Sequence, residues 1–127
     1  LSPEYSWAYY NLAVIDYENG DYDAAAEKLN KTLELNPKDI DAYEVYSKIL
    51  AKAGNLQEAA GVIQTAIKNC GDNGDLYYIQ AQIAKKNGDN ETYAAAMEKA
   101  LDNHQTLSVN PKLVKLEYDK FLAEAQR

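Results

Sequence analysis

Cysteine occurs once in the 127 residues, at Cys70. That excludes an internal disulfide and any cysteine-based metal cluster. One unpaired cysteine points toward a reducing, cytoplasmic compartment, but leaves the periplasm and the exterior open. Histidine also occurs once, at His104, near the end of an expected helix, where a surface or helix-end role is expected rather than that of a base. No G-x-S-x-G, Walker or H-E-x-x-H motif occurs. With no visible cluster of acid, base and nucleophile, no enzyme activity, cofactor or metal is expected. No apolar run approaches the ~20 residues of a membrane helix, and no signal-peptide pattern opens the chain. The first residue is Leu1 rather than Met, so a piece of a longer protein is expected. Positive charge is scarce too: 13 Lys and Arg stand against 20 Asp and Glu, a net charge of −7. That balance opposes binding to nucleic-acid phosphates and to anionic lipid. Residues 1–39 hold three Lys against eight Asp and Glu, or −5, whereas 108–127 hold four basic against three acidic residues.

Several short patterns carry no chemistry. Asp16, Asn19, Asp21 and Asp23 miss the EF-hand spacing and read as a helix end followed by a cap. Cys-Gly-Asp-Asn-Gly-Asp (70–75) is a turn by composition. Asn30-Lys-Thr32 and Asn90-Glu-Thr92 match the glycosylation sequon, but both fall in or at expected helices.

What the sequence does contain is helical periodicity and a repeat. Gly20, Gly54 and Gly88 are 34 residues apart, as are Tyr9, Tyr43 and Tyr77. Ala13, Ser47 and Ala81 keep the same step, as do Asp21, Asn55 and Asp89; Leu29, Ile63 and Met97; and Leu33, Ile67 and Leu101. A period of this size means stacked repeats. Each unit reads as two helices. The glycine ends the first, where φ > 0 is needed, and Asp21, Asn55 or Asp89 caps the second through its side chain. Asn55-Leu-Gln-Glu58 reads as a capping box. Asn36-Pro37 closes unit one, and Asn110-Pro111 opens a last helix to about Ala125.

These residues resemble the tetratricopeptide repeat: 34 residues with W-x2-L-G-x2-Y, A-x3-F and P. Unit one carries Tyr9, Leu12, Ala13, Gly20, Tyr22, Ala25, Leu29 and Pro37. Unit two carries Tyr43, Tyr46, Ser47, Leu50, Gly54, Leu56, Ala59, Ile63 and Ala66, with Gly71 where proline is usual. Unit three carries Tyr77, Ala81, Ala84, Gly88, Met97 and Ala100, but departs at Gln80, Asn90, Tyr93 and Gln105. Tyr93 replaces a small residue, which puts helix packing there in question. The resemblance implies an all-α, right-handed α-solenoid of three helix-turn-helix repeats plus a C-terminal capping helix. The repeats fall at about 6–39, 40–73 and 74–107, within 1–107, and the capping helix lies in 108–127. Leu113, Val114, Leu116, Tyr118, Phe121 and Leu122 are its expected buried face. The alternative is the first helix of a fourth, truncated repeat. Tyr9, Tyr22, Tyr43, Tyr46 and Tyr77 are expected to be packing residues.

The resemblance also implies a concave groove lined by repeat positions 2, 5, 9 and 13 of each first helix, where extended peptides lie. In unit two these are Asp41, Glu44, Lys48 and Lys52, the helix's only polar stripe. In unit one they are Trp7, Tyr10, Val14 and Glu18, and in unit three Asp75, Tyr78, Gln82 and Lys86. The aromatic end explains the stretch SWAYYNLAVIDY. Its polar Ser6, Asn11 and Asp16 are five apart and spread around the helix at about 100° per residue, so no wet face is left; the groove face is the missing one. Either an exposed anchor site takes a partner there, or an upstream helix or another copy covers it. The family's clamp for acidic chaperone tails needs cations, but its positions hold Tyr10, Val14, Val45, Asp75 and Ile79. The expected partner is therefore a protein or peptide, with self-association or continuation of an upstream array as the alternative.

Overall fold

The computed structural model describes residues 3–125 and the side chains of 5–125, so Leu1 and Arg127 lie outside it. Seven α-helices follow in order: α1 (Pro3–Glu18), α2 (Tyr22–Leu35), α3 (Ile40–Lys52), α4 (Leu56–Cys70), α5 (Gly74–Lys86), α6 (Asn90–Asp102) and α7 (Pro111–Ala125). A 3-10 turn at His104–Thr106 precedes α7. No strand occurs among the described residues. The helices pair as α1–α2, α3–α4 and α5–α6. One compact unit ends at Gly71 and a second begins at Asp72, so the third pair and α7 share a unit.

The repeated glycines work as the spacing demands. Gly20, Gly54 and Gly88 have φ of +81°, +84° and +74°, values an L side chain rarely adopts. The residue after each glycine closes the turn through its backbone. Asp21, Asn55 and Asp89 donate their N–H groups to the carbonyls of Asp16, Leu50 and Ala84 at 2.8–2.9 Å. This is the six-to-one bond of a Schellman ending. The expected side-chain caps hold for one of the three. Asp89 accepts from the Thr92 N–H at 3.1 Å, but Asp21 and Asn55 make no side-chain cap bond, and no Asn55–Glu58 box forms. Two caps that were not expected, themselves 34 residues apart, head α3 and α5: Asp39 accepts from Ala42, and Asn73 from Leu76, each at 3.1 Å.

In the first unit, Ala13, Ala25, Leu29, Ala42 and Ile49 form a buried cluster, with Tyr10, Tyr17, Tyr22, Val45 and Tyr46 against it. Ala13, Ser47 and Ala81, the small residues of the repeat, are fully buried and let helices approach closely. Tyr43 and Tyr77 are core residues, while Tyr9, Tyr22 and Tyr46 are half-buried. The Tyr43 hydroxyl donates to the Pro37 carbonyl at 2.7 Å and accepts from Asn69 Nδ2 at 2.9 Å. The first bond pins the loop after the first pair to α3, and the second ties α3 to α4.

The second unit corrects two expectations. Tyr93 does not loosen unit three. It is fully buried, with its ring 4.6 Å from that of Phe121 and 6.5 Å from that of Tyr118. Such ring pairs add about 0.5–1.5 kcal/mol beyond area burial. A bulky residue fits on α6 because α7 packs over it, and Val114 completes the cluster with Ala81, Ala84, Ala96 and Met97. The expected buried face of α7 is only partly right. Val114 is buried and Tyr118 and Phe121 are half-buried, but Leu113, Leu116 and Leu122 are exposed. The docking residues 114, 117, 118 and 121 keep helical spacing, and at about 100° per residue they turn Leu113 and Leu116 outward. Ahead of α7, Gly74 passes so close to the Asn103 carbonyl that a Cβ would collide with it.

Candidate functional site

Trp7, Tyr10 and Val14 lie three and four residues apart on α1, one face of the helix. Trp7 is 70% exposed, whereas Tyr10 and Val14 are half-buried. Tyr10 spans two environments. Its ring packs against the first unit's core, and its hydroxyl pKa is pushed up, first by burial and then by the charges of Asp41, Asp39 and Glu44. The acids of α3 thus stand beside the aromatic residues of α1. Asp41 and Lys48 are exposed and Glu44 half-buried. Within this unit Trp7, Tyr10 and Val14 give α1 an apolar face, and Asp41 and Glu44 of α3 bring negative charge to Tyr10 at its edge. Lys52 lies apart from them. Its Nζ sits 5.1 Å over the Tyr17 ring and 5.8 Å over that of Tyr22, clasping the turn between α1 and α2.

In the second unit, Asp75, Tyr78 and Gln82 are engaged by the chain itself. Asp75 accepts from the backbone N–H and the hydroxyl of Ser108, both at 2.6 Å. Tyr78 and Gln82 each donate to Glu117 of α7 at 2.9 Å, as does Tyr93. Burial pushes the Glu117 carboxyl up, but the bonds from Gln82, Tyr93 and Tyr78, aided by Lys85, outweigh it and hold the carboxyl below its ordinary value. Burial and the bond to Glu117 push the Tyr78 hydroxyl up to about 12. These three positions therefore hold the last helix in place. Sequence reasoning missed Glu117, though a signal existed: it sits between Val114 and Phe121 on an otherwise apolar helical face.

α1 differs from expectation on its other side. The groove face is not its only uncovered one. Tyr5, Leu12 and Ile15 are 60%, 49% and 53% exposed, and their spacing puts them with Ala8 on a separate face. Of the three polar residues of this stretch, Ser6 is buried, and Asp16 pairs with Lys28.

A cleft of about 540 Å³ lies among α2, α3 and α4, with Leu33, Tyr43, Tyr46, Leu50 and Val62 in its lining and Glu58 beside them. Tyr43, Tyr46 and Leu50 leave α3 on the side away from Asp41, Glu44 and Lys48. His104 is exposed, its Nδ1 3.2 Å from the Leu101 carbonyl, which places it at a helix end. Burial pushes the half-buried Cys70 thiol up, away from a reactive thiolate. The first sequon is closed: Thr32 is fully buried, with its hydroxyl on the Lys28 carbonyl. No described helix is long and apolar enough to cross a membrane.

Comparison with known proteins gives the same picture. A family model for the tetratricopeptide repeat matches residues 10–74. The Drosophila melanogaster protein "BBSome complex member BBS4 homolog" is 36% identical over 66 residues, 52% of this chain and 13% of its own length. Among solved structures, PcrH in complex with the chaperone binding region of PopD superposes with a TM-score of 0.84, covering 98% of this chain and 96% of that one at 13% identity. MamA superposes with a TM-score of 0.72, covering 82% of this chain and 57% of its own at 16% identity. At these identities the structural likeness is one of fold. The chain spans only a small part of its curated relative.

Proposed function

The chain belongs to the tetratricopeptide-repeat family, and from that premise we propose that it is a non-enzymatic protein-interaction module binding a peptide or protein segment on the face lined by α1 and α3. One observation carries this reading: Trp7 is 70% exposed, on the same helix face as Tyr10 and Val14. Tryptophan and tyrosine dominate binding hot spots, where truncation costs upwards of about 2 kcal/mol. The neighbouring Asp39, Asp41 and Glu44 set the partner's chemistry: an apolar or aromatic anchor followed by basic residues. Asp75, Tyr78 and Gln82, bonded to Ser108 and Glu117, would contribute less. PcrH, of the same fold, holds a protein segment of PopD, which supports the choice of partner class.

The test is selection of a random phage-displayed peptide library on the chain, followed by affinity measurement. Enriched peptides should pair an aromatic or aliphatic anchor with Lys or Arg, and should lose binding to Trp7→Ser/Tyr10→Ser while that variant keeps its helicity. Unchanged affinity for the variant would count against this face.

A second reading, a scaffold that self-associates or extends a repeat array, is favoured by the separate exposed face of Tyr5, Leu12 and Ile15. Stacked repeats leave open ends that invite further stacking.

A further inference from the structure

Among the described residues, the large apolar side chains that stand exposed belong to the first and the last helix: Tyr5, Trp7, Leu12 and Ile15 on α1, and Leu113, Leu116 and Leu122 on α7. The inner helices show none. The outer face of α1 has a counterpart within the chain. One repeat later, Ala8, Leu12 and Ile15 become Ala42, Tyr46 and Ile49 on α3. Ala42 and Ile49 are buried and Tyr46 is half-buried, all in the cluster built with Ala13, Ala25 and Leu29 of the preceding pair. This face of a first helix is thus one that receives packed helices, and on α1 the described residues supply none.

α7 offers a matching surface. Leu113, Leu116 and Ala123 share its outer side with Lys112 and Lys120, all exposed. Neither lysine makes an ion pair among the described residues. Charge decides the pairing. α1 carries Glu4, Asp16 and Glu18 and no Lys or Arg, so two α1 helices set together would bring like charge to like. The outer side of α7 carries Lys112 and Lys120, so α7 suits α1 better than α1 suits itself. Complementary potential selects partner and register.

We propose that the outer face of α1, with Tyr5, Leu12 and Ile15, docks onto the Leu113–Leu116 face of α7 in a second copy of this chain. The proposal rests on the self-association reading and names its two surfaces. The two surfaces differ, so a variant that loses one of them keeps the other.

Sedimentation velocity of the intact chain and two variants tests this. Leu12→Lys/Ile15→Lys disables the α1 face, and Leu113→Glu/Leu116→Glu disables the α7 face; far-UV circular dichroism checks that both fold. The wild type should form oligomers that dissociate on dilution. Each variant alone should be monomeric, and an equimolar mixture should form dimers only, since each variant keeps one working face. Lys112→Glu/Lys120→Glu alters only exposed charges and should weaken association about tenfold; no change would overturn the charge pairing. A wild type that stays monomeric at every concentration overturns the proposal and the self-association reading together. A variant that still dimerises alone leaves self-association standing but overturns the head-to-tail assignment.

Discussion

Glu117→Ala should loosen α7 without disturbing the first unit. The carboxylate accepts three hydrogen bonds, from Tyr78, Gln82 and Tyr93, each 2.9 Å long. Tyr93 is fully buried, so its hydroxyl would be stranded; an unsatisfied buried group costs about 1–3 kcal/mol. Tyr78 and Gln82 are half-buried and can turn to water, so their loss counts for roughly half a kcal/mol each, the low end for a hydrogen bond. The sum centres on about 3 kcal/mol, which multiplies local opening by roughly 150-fold. Hydrogen exchange read by mass spectrometry resolves this. Amides of Pro111–Ala125 should exchange about 150-fold faster in the variant, and those of Ile40–Lys52 should not change. Tyr93→Phe, which removes one donor and leaves the other two bonds, should produce the smaller part of the effect. Protection of α7 that differs less than about threefold between Glu117→Ala and wild type would refute the energetic role given to this cluster.

The same cluster should respond to pH at both ends. The folded Glu117 carboxyl lies below its ordinary 4.5, so its contribution is complete above that value and lost as pH falls through the folded one. α7 should therefore open earlier than the first unit in an acid titration followed by hydrogen exchange. Tyr78 runs the other way. Its folded value of about 12 against an ordinary 10.0 means its contribution is complete below pH 10 and lost as pH rises toward 12, so α7 should also release first in alkali. Gly74→Ala should cost about 1–3 kcal/mol through overpacking, because the added Cβ meets the Asn103 backbone and the Leu107 side chain; thermal unfolding reads this directly. An acidic chaperone-tail peptide should show no micromolar affinity in calorimetry, since the clamp positions Tyr10, Val14, Val45, Asp75 and Ile79 supply no cation.

The fold was legible because its signals are local. A glycine needing φ > 0 and a small residue at a helix contact must recur wherever the unit recurs, so the 34-residue step announces both. Pro111 marks the start of α7 for the same reason. The caps were less legible. Asp21 and Asn55 serve the turn through backbone N–H groups that every non-proline residue has, whereas Asp39 and Asn73, themselves 34 residues apart, cap the first helices of units two and three through side chains of different type. α7 misled because hydrophobicity alone does not choose among its apolar faces. Glu117 chooses, by needing Tyr78, Gln82 and Tyr93, and those partners lie 24 to 39 residues away. The candidate site was legible on α3 as a polar stripe and on α1 as a missing one. That α1 leaves a second face uncovered follows only from what packs against it.

Trp7, the only tryptophan, stands open on the proposed binding face, and the proposed function turns on it. Its fluorescence, recorded on dilute, monomeric chain before and after saturation with a peptide enriched in the phage selection, is the most direct test. The emission should be solvent-like and readily quenched by acrylamide in the free chain, then blue-shifted and protected in the complex. Emission already buried in the free monomer, or unchanged at saturation, would contradict the claim that α1 presents this face to a partner.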